Sequence, residues 1–350
     1  MSLLKFDNVG IRAISCTVPK DVVKNRELTD YYTTDQIEKF IEATGIEERR
    51  FAKDDECASD LCYNAACNLF DKTDFNREDI DMLIFVTQTP DYKSPGSAII
   101  LQDRLKLKKS TLVYDLNMTC SGFIHGLLMS YTFLKNPEIN NILLMVGDTL
   151  SKAISLRDKS TGMLLGDAGV ATIISRGDQF GPSYFSMNTD GAYTQAVLNP
   201  AGGYRMVSSH ETLTDREFED GSIRNLEQVE MNGMDVFSFA ISELPRDVKR
   251  LLEYAGVALD DIDKYAFHQA NKYMMQHIAK KLKSNPDKML QSIHKYGNTA
   301  GVSIPLTLVE NKALMKPGES VLMNAIGAGF AYGTVLLNIA DCEILDLNEL

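Results

Sequence analysis

A short α/β pattern occurs twice in the chain, at an offset of 182 residues (position 261 minus position 79). EDIDMLIFVTQT (78–89) and DDIDKYAFHQAN (260–271) share the pattern D-I-D-x-x-x-F. At almost the same offset, NNILLMVGD (140–148) and ESVLMNAIGAG (319–329) both give an apolar run that ends at glycine. Such runs are typical of strands buried on both faces of a parallel sheet. The repetition therefore predicts two similar α/β halves, each with a mostly parallel sheet.

One segment fits neither half of the repeat. Residues 176–232 contain Gly- and Asn-rich turns and then the polar run HETLTDREFEDGSIRNLEQVE. This composition predicts a connection between the halves, and both a plain surface loop and a lid over a substrate site remain open. We therefore predict an N-terminal half at 1–175, a connection at 176–232 and a C-terminal half at 233–350.

The composition narrows the class of protein. With 350 residues, 44% hydrophobic and 24% charged, the chain can fold around a sizeable core. Its net charge of −12 argues against nucleic acid or an anionic membrane as the main partner. The six scattered cysteines match neither a disulfide framework nor a common metal-site spacing. The cysteine spacing therefore predicts no metal site. Because the sequence shows neither a signal-peptide pattern nor an apolar run of about 18 residues, we expect a cytoplasmic protein.

Cys120 is the candidate nucleophile among these cysteines. The segment TLVYDLNMTCSGFIHGLLMSYTFLK (111–135) predicts a strand, a tight turn at 118–122 and an amphipathic helix. A thiol between strand and helix meets free N–H groups and the positive end of the helix dipole, which stabilise the thiolate. On this pattern alone, a buried structural cysteine remains the alternative. The apolar stripe of the predicted helix comprises Phe123, Leu127, Leu128, Tyr131 and Leu134.

Two residues of the second half are candidate partners of this thiol. His268, in AFHQAN, follows a predicted strand, and catalytic groups of α/β sheets collect at the carboxyl ends of strands. His294, beside a glycine turn, is the second choice. Asn298, in YGNTAGVSIP, is the candidate amide, although an Asn beside a Gly is also ordinary turn chemistry. The glycine-rich IGAGFAYG (326–333) lacks the ending of a phosphate loop and suits a turn that presents N–H groups to an oxyanion.

Taken in order, NMTCSGF, HQAN, GNTAGVSIP and GAGFAYG resemble the thiolase superfamily, and most closely the 3-oxoacyl-acyl-carrier-protein synthase III family. Three further segments fit the same family, namely TGIEERRFA, GDAGVATII and EMNGMDVFSFA. The resemblance covers nearly the whole chain. It implies a thiolase-like duplicated five-layer αβαβα fold, an active site between the halves and, usually, a homodimer.

The resemblance also assigns roles to individual residues. Cys120 would take an acyl group from a thioester, and His268 with Asn298 would hold the malonyl thioester of an acyl carrier protein during decarboxylation. The N–H groups of Cys120 and Ala328 would form the oxyanion hole, and Asn271 would organise the surroundings of His268. No cofactor is implied, because acyl-CoA and acyl-carrier protein are substrates.

The chain departs from this family where relatives bind coenzyme A. It contains no tryptophan, and Lys39 and Ala43 occupy the positions of the tryptophan and arginine that stack on adenine. Lys152 stands where an arginine would contact phosphate, and Tyr273 replaces a second arginine. Ser94 replaces a bulky aromatic residue that shapes the acyl pocket across the dimer interface. These changes predict an acyl donor larger than acetyl, or one that arrives on a carrier protein.

A basic helix follows His268, and family members bind the acidic carrier protein in this region. Its lysines predict a local docking surface on an acidic chain, although a solvated helix face is the open alternative. Acyl transfer in secondary metabolism, a cysteine hydrolase and a non-catalytic subunit are the competing functions. The lysines in question are Lys272, Lys280, Lys281 and Lys283.

Overall fold

The computed structural model describes residues 2–339 and 342–350 as an α/β protein. The strands, numbered along the chain, are β1 Ser2–Phe6, β2 Val9–Val18, β3 Val22–Lys24, β4 Glu48–Arg50, β5 Met82–Val86, β6 Leu112–Leu116, β7 Asn141–Asp148, β8 Ala168–Arg176, β9 Ser183–Thr189, β10 Val197–Leu198, β11 Arg216–Glu217, β12 Ile223–Arg224, β13 Glu230–Met231, β14 Lys264–Phe267, β15 Ser320–Gly327, β16 Ala331–Asn338, β17 Glu343–Ile344 and β18 Asn348–Glu349. The α-helices are α1 Thr34–Thr44, α2 Ala58–Lys72, α3 Ser97–Arg104, α4 Gly122–Phe133, α5 His210–Leu213, α6 Gly233–Ala255, α7 Lys272–Leu282, α8 Ile293–Tyr296 and α9 Ser303–Glu310.

The first sheet has the strand order β17-β2-β8-β7-β5-β6, and β18 also pairs with β2. Strand β5 is parallel to β6 and β7, whereas β8 is antiparallel to both β7 and β2. Strands β17 and β18 are parallel to β2, so four of the six described strand pairs are parallel and the expectation of a mostly parallel sheet is confirmed for this half. The sheet is nevertheless mixed, because β8 is antiparallel to both of its neighbours. The reason lies in the connection from β7 to β8, which contains no α-helix and so does not carry the chain back for a parallel pairing.

The second sheet has the strand order β1-β9-β16-β15-β14. Among its described strand pairs, β14–β15 is parallel and the other three are antiparallel, so the expectation of a mostly parallel sheet was wrong for the second half. Strands β5 and β7 of the first sheet and β14 and β15 of the second come from the repeated sequence segments, so the repetition does correspond to equivalent strands.

The ends of the chain exchange sheets. Strand β1 pairs with β9 in the second sheet, whereas β17 and β18 pair with β2 in the first. Strand β9 also lies inside the segment 176–232 that we predicted as a connection. The two halves are thus interleaved in the structure and do not follow the predicted limits, because each terminal strand packs in the half that is remote in sequence.

Helices separate and cover the two sheets in five layers. Helices α2 and α3 pack on the outer face of the first sheet, α4 and α9 lie between the sheets, and α6 and α7 cover the second sheet. This is the thiolase-like αβαβα order. Helix α4 is buried on nearly every side, since Ile124 and Gly126 are as inaccessible as the predicted stripe residues Phe123 and Leu127. It is a central helix, and the amphipathic pattern expected from the sequence is absent because both sheets bury it.

The layers bring two strand ends together. Cys120 follows the carboxyl end of β6, and His268 follows the carboxyl end of β14. The polar excursion after β10 holds α5 and the short strands β11, β12 and β13. Within residues 2–339 and 342–350, no helix has the length and apolar character needed to cross a membrane.

Candidate active site

A cavity of about 140 Å³ lies between the two halves. Cys120, His268 and Asn298 all line it. Val229 and Met231, at the end of the polar excursion, also form part of its wall. The segment predicted as a surface connection or a lid therefore contributes directly to the site. Most of the remaining wall is apolar, and includes Leu150, Leu164, Leu165, Val197, Val236 and Phe237.

Cys120 occupies the turn between β6 and α4, as the sequence predicted. Its own backbone N–H and the side chain of Asn298 hydrogen-bond to the sulfur and favour the thiolate. Burial, and after it the negative charge of Asp148, outweigh these contacts and raise the pKa of the thiol to about 12. In the free protein at neutral pH the side chain is therefore a thiol, although the N–H group at this turn does favour the thiolate.

Glycine allows the second half to approach this turn. A Cβ atom on Gly327 would lie 2.4 Å from Thr119 Oγ1 and 3.0 Å from the backbone nitrogen of Ser121. On Gly301 it would lie 3.1 Å from the backbone oxygen of Thr119. Any larger residue at these positions would push the two halves apart at Cys120.

His268 is fixed at the end of β14 by two hydrogen bonds. Its backbone N–H donates to Asn324 O at 2.8 Å, and its Nδ1 lies 2.6 Å from Ser303 Oγ. Burial lowers the pKa of the imidazole to about 4, so the ring is neutral at physiological pH. The serine hydroxyl can donate to a bare Nδ1, and Nε2 then carries the proton and can donate to a substrate oxygen.

Asn298 is held with its amide in one orientation. Its backbone N–H donates to Leu164 O at 3.0 Å, and its backbone oxygen accepts from Gly166 N at 3.1 Å. Its Oδ1 accepts the backbone N–H of Ala300 at 3.0 Å. Because the amide oxygen is engaged in this way, the amide nitrogen is the atom left to donate to the thiol or a bound substrate. Asn298 thus does form a turn, and it lines the cavity as well.

The predicted oxyanion donor Ala328 does not present a free N–H. Ala328 lines the cavity, but its backbone N–H donates to Thr119 Oγ1 at 2.7 Å. The sequence could not show this contact, since the two residues are 209 positions apart. The expectation that Ala328 itself offers an N–H to the substrate therefore needs correction.

Other predicted residues have mixed positions. Asn271 lines the cavity and caps α7, since its side chain accepts the Met274 N–H at 2.7 Å. Lys152 is outside the cavity lining, and its Nζ donates to the backbone oxygens of Asp54 and Glu56. A phosphate would have to compete with these two carbonyl groups, so its contact with Lys152 stays a prediction.

Several residues that the sequence analysis singled out lie outside the cavity lining. Ser94 is exposed in the loop after β5, beside α3, and does not line the cavity. His294, the second choice for the base, is exposed on α8.

The predicted docking residues Lys272, Lys280 and Lys281 are exposed on α7. Tyr273 stacks on Phe237 of the cavity wall, with ring centroids 5.3 Å apart.

The sequence analysis missed a polar pair behind the cysteine. Gln88 lines the cavity, and its backbone N–H donates to Asp148 Oδ1 at 2.9 Å. Burial raises the pKa of Asp148 to about 7, although several hydrogen bonds favour its ionised form. Asp148 is the last residue of β7, and Gln88 lies two residues after the end of β5. Both strands belong to the repeated pattern, and this position at their carboxyl ends is the signal that could have identified the two residues.

A thiol at a helix N-terminus, a neutral imidazole and an oriented amide form a site for acyl transfer through a cysteine. The five-layer fold around it is that of the thiolase-like condensing enzymes. Two family models match, the 3-oxoacyl-[acyl-carrier-protein] synthase III model over residues 114–191 and the model of its C-terminal part over residues 252–339.

Comparison with known proteins identifies the family to which the chain belongs. A β-ketoacyl-[acyl-carrier-protein] synthase III of Fusobacterium nucleatum subsp. nucleatum is 34% identical over 96% of this chain and 100% of that protein. The crystal structure of a 3-oxoacyl-(acyl-carrier protein) synthase from Burkholderia xenovorans LB400 superposes with a TM-score of 0.93, covering 100% of this chain and 99% of that one at 30% identity. The priming β-ketosynthase of the R1128 polyketide pathway, 23% identical with a TM-score of 0.81 over 96% of this chain and 97% of that one, shares the fold. The chain belongs to the 3-oxoacyl-[acyl-carrier-protein] synthase III family, and it is a condensing acyltransferase.

Proposed function

We propose that this chain condenses an acyl thioester with malonyl-acyl carrier protein, through an acyl–Cys120 intermediate, to give a 3-oxoacyl product. The observation that carries the proposal is the meeting of Cys120, His268 and Asn298 in one cavity, with the imidazole neutral and the amide oxygen already engaged. With the imidazole neutral and the amide oxygen engaged, His268 Nε2–H and the Asn298 side-chain NH₂ are left to donate to a substrate oxygen beside the nucleophilic sulfur.

In the first step Cys120 attacks the carbonyl carbon of the acyl thioester. The new S–C bond forms as the bond to the leaving thiol breaks, and the proton of Cys120 passes to that thiol. Because burial and Asp148 raise the pKa of Cys120 to about 12, deprotonation has to accompany substrate binding. The hydrogen bonds from its own N–H and from Asn298 favour the sulfur anion at that moment.

In the second step the malonyl thioester loses carbon dioxide. The electron pair of the broken C–C bond moves into an enolate, whose oxygen accepts hydrogen bonds from His268 Nε2–H and the Asn298 amide. The carbanion attacks the acyl–Cys120 carbonyl, and the C–S bond breaks with its electron pair on the sulfur. The resulting thiolate takes a proton from water, which regenerates the thiol. A neutral imidazole serves this step because it donates to the enolate in the low-dielectric cavity without the cost of burying an imidazolium.

The test is incubation with acyl donors and malonyl-carrier, followed by mass analysis of protein and product. We expect acyl–Cys120, carbon dioxide and a 3-oxoacyl-carrier product from the wild type. His268→Ala should retain the acyl adduct but lose condensation by about 10²–10³-fold, since it removes a donor to the enolate. His294→Ala, on the exposed helix α8, is the matched control and should behave as wild type. Release of free acid without condensation would contradict the proposal and indicate hydrolysis.

We further propose that the acyl donor is larger than acetyl or arrives on a carrier protein. Lys39, at the position of the adenine-stacking tryptophan, is exposed and pairs with Asp35 at 2.8 Å. Leucine side chains line the cavity that also holds Cys120, and they offer an apolar surface to an acyl chain. Competition between acetyl, butyryl and longer acyl groups, each on coenzyme A and on carrier protein, tests this. A preference for acetyl-coenzyme A would overturn it.

The carrier protein docks, we propose, on α7. The N-terminal end of this helix supplies Asn271 and Met274 to the cavity, and the lysines on the same helix are exposed and do not line the cavity. An acidic carrier bound there could deliver its substrate arm to Cys120. Reversing the charge at Lys280 or Lys281 should raise the KM for malonyl-carrier several-fold and leave kcat unchanged. Lys316→Glu is the control, because this exposed residue precedes the amino end of β15, whereas α7 follows the carboxyl end of the parallel neighbouring strand β14.

A homodimer through the free edge of the first sheet is also proposed. Strand β6 pairs only with β5 in the part of the chain that the structure describes, and its Leu112 and Tyr114 are 46% and 41% exposed. An unpaired, apolar strand edge is a natural site for pairing with a second copy. Tyr114→Lys should shift the mass measured by light scattering toward one chain, whereas Tyr31→Lys, at a tyrosine 46% exposed elsewhere, should not.

A cytoplasmic location completes the proposal. All six cysteines are free thiols, as expected in a reducing compartment. Cell fractionation with a periplasmic and a membrane marker tests it, and recovery with either marker would contradict it.

A further inference from the structure

Thr119 lies between the backbone of Ala328 and the space in front of Cys120. Its Oγ1 accepts the Ala328 N–H at 2.7 Å, and the residue directly precedes Cys120 and lines the cavity. A substrate oxygen that approaches this side of the site therefore meets the hydroxyl group of Thr119 before it meets the Ala328 N–H.

The hydroxyl proton of Thr119 is available. A hydroxyl carries one donor and two acceptor lone pairs, and the Ala328 N–H uses one of the lone pairs. Within residues 2–339 and 342–350, the structure describes no hydrogen bond that Thr119 Oγ1 donates. The hydroxyl proton can thus be directed into the cavity, while one lone pair of Thr119 Oγ1 continues to accept the Ala328 N–H.

The hydroxyl group also has little room to move aside. A Cβ atom on Gly327 would be 2.4 Å from Thr119 Oγ1, which shows how closely the backbone of the second half packs against it. Threonine is β-branched, so its χ1 angle is restricted. A rotation of Thr119 about χ1 that uncovered the Ala328 N–H would also place the methyl group of Thr119 against the backbone of Gly327, where the hydroxyl group now lies.

We infer that Thr119 is a catalytic residue that donates the second hydrogen bond of the oxyanion hole, beside the N–H of Cys120. When sulfur or carbon attacks a carbonyl, the π electrons move to its oxygen, which then accepts the hydrogen bonds without taking a proton. The electrons return as the leaving thiol departs. The Ala328 N–H acts through Thr119, because accepting that hydrogen bond strengthens the hydroxyl as a donor.

This inference rests on the proposed acyl transfer, and its test separates the two. The rate at which an acyl thioester forms acyl–Cys120 is measured in a single turnover by mass analysis of the intact protein, for wild type, Thr119→Val, Thr119→Ser and Thr119→Ala. Thermal unfolding of each variant monitors folding. A wild type that does not form acyl–Cys120 would overturn both ideas, whereas a wild type that acylates without condensing would overturn only the proposed condensation.

The variants decide the role of the hydroxyl. Thr119→Val keeps the shape but removes the donor, and we expect acylation to slow by about 10²–10³-fold. Thr119→Ser keeps the donor and should remain within about tenfold of wild type. Thr119→Ala should also be slow, and with Thr119→Ser it decides the question if the valine variant does not fold. A valine variant within about tenfold of wild type, a serine variant as slow as valine, or an alanine variant faster than wild type would overturn the inference. The last result would show that Thr119 only covers the Ala328 N–H.

Discussion

Replacing Asp148 by Asn removes a buried negative charge behind the nucleophile. Asp148 Oδ1 accepts from Gln88 N at 2.9 Å, from Thr87 Oγ1 at 3.2 Å and from Thr89 Oγ1 at 3.3 Å. The oxygen of an asparagine can accept from the same donors, and the Gln88 amide has only to rotate to meet the new NH₂ group. The change is thus mainly one of charge, and two measurable effects follow from it.

The first effect concerns stability. Burial raises the pKa of Asp148 from 3.8 to about 7, so between these pH values the folded protein holds a proton that the unfolded chain releases. The stabilisation is complete below the unfolded pKa and is lost as the pH rises through the folded pKa. At about 1.4 kcal/mol per unit of pKa, the free energy of unfolding falls by at most about 4 kcal/mol across this window. The Asn variant lacks this fall, so its stability relative to wild type should increase from pH 4 to pH 8.

The second effect concerns the reactivity of Cys120. The pKa of the thiol rises from 9.0 to about 12, with burial as the first cause and Asp148 as the second. Removing the charge should lower this pKa without restoring the ordinary value, because burial remains. One unit of pKa changes the thiolate fraction about tenfold, so alkylation at pH 8 should become faster, by about tenfold for each unit by which the pKa falls.

The assay combines urea unfolding from pH 4 to pH 8 with peptide-resolved alkylation of Cys120. Asp167→Asn is a matched control, because burial raises the pKa of Asp167 to about 6 but its charge is not among the causes of the Cys120 shift. It should change the pH dependence of stability and leave Cys120 unaffected. Equal pH slopes for wild type and Asp148→Asn, or an unchanged alkylation rate at Cys120, would refute the reasoning.

Three further changes probe the packing around the site. Gly327→Ala places a Cβ atom 2.4 Å from Thr119 Oγ1, so we expect a loss of about 1–3 kcal/mol of stability in urea unfolding and slower acylation; an unperturbed variant would show that the contact gives way easily. Asp247→Ala leaves two buried donors and one half-buried donor, on two strands, without their acceptor, and should lower the free energy of unfolding by about 3 kcal/mol, whereas a loss below about 1 kcal/mol would contradict the described network. Ser303→Ala removes the partner of His268 Nδ1 and should slow condensation by about tenfold while acylation continues, and equal slowing of both steps would contradict a role through the imidazole tautomer.

The parts of the fold that could be predicted are those buried on both faces. Strands β5, β7 and β15 are buried along almost their whole lengths and mostly apolar, because helices cover both sides of each sheet, and this gives them a clear sequence signal. The terminal strands carry no such signal. Strand β1 has only one fully buried residue, and β17 and β18 are two residues long. Their positions depend on partners that are remote in the chain.

The site divides in a similar way. Cys120, His268 and Asn298 occupy strand ends and turns within recognisable motifs, and the resemblance of those motifs to a known family predicted that the three residues meet. The hydrogen bond from Ala328 N–H to Thr119 Oγ1 joins the two halves, and the raised pKa of Cys120 results first from the burial of its side chain in the folded protein. Such contacts depend on distances of a few tenths of an ångström between loops, which a one-dimensional pattern does not contain.

The exchange of terminal strands has a consequence for dividing the molecule. A cut in the turn between β8 and β9 would give one fragment that carries β1 but no strand for it to pair with, and a second fragment that carries β17 and β18 away from β2. Strand β9 would be left with an open edge in the second fragment, and β2 in the first. Each piece would hold the missing strand of the other, so the chain is built for reconstitution from two complementary fragments rather than for separation into two autonomous domains.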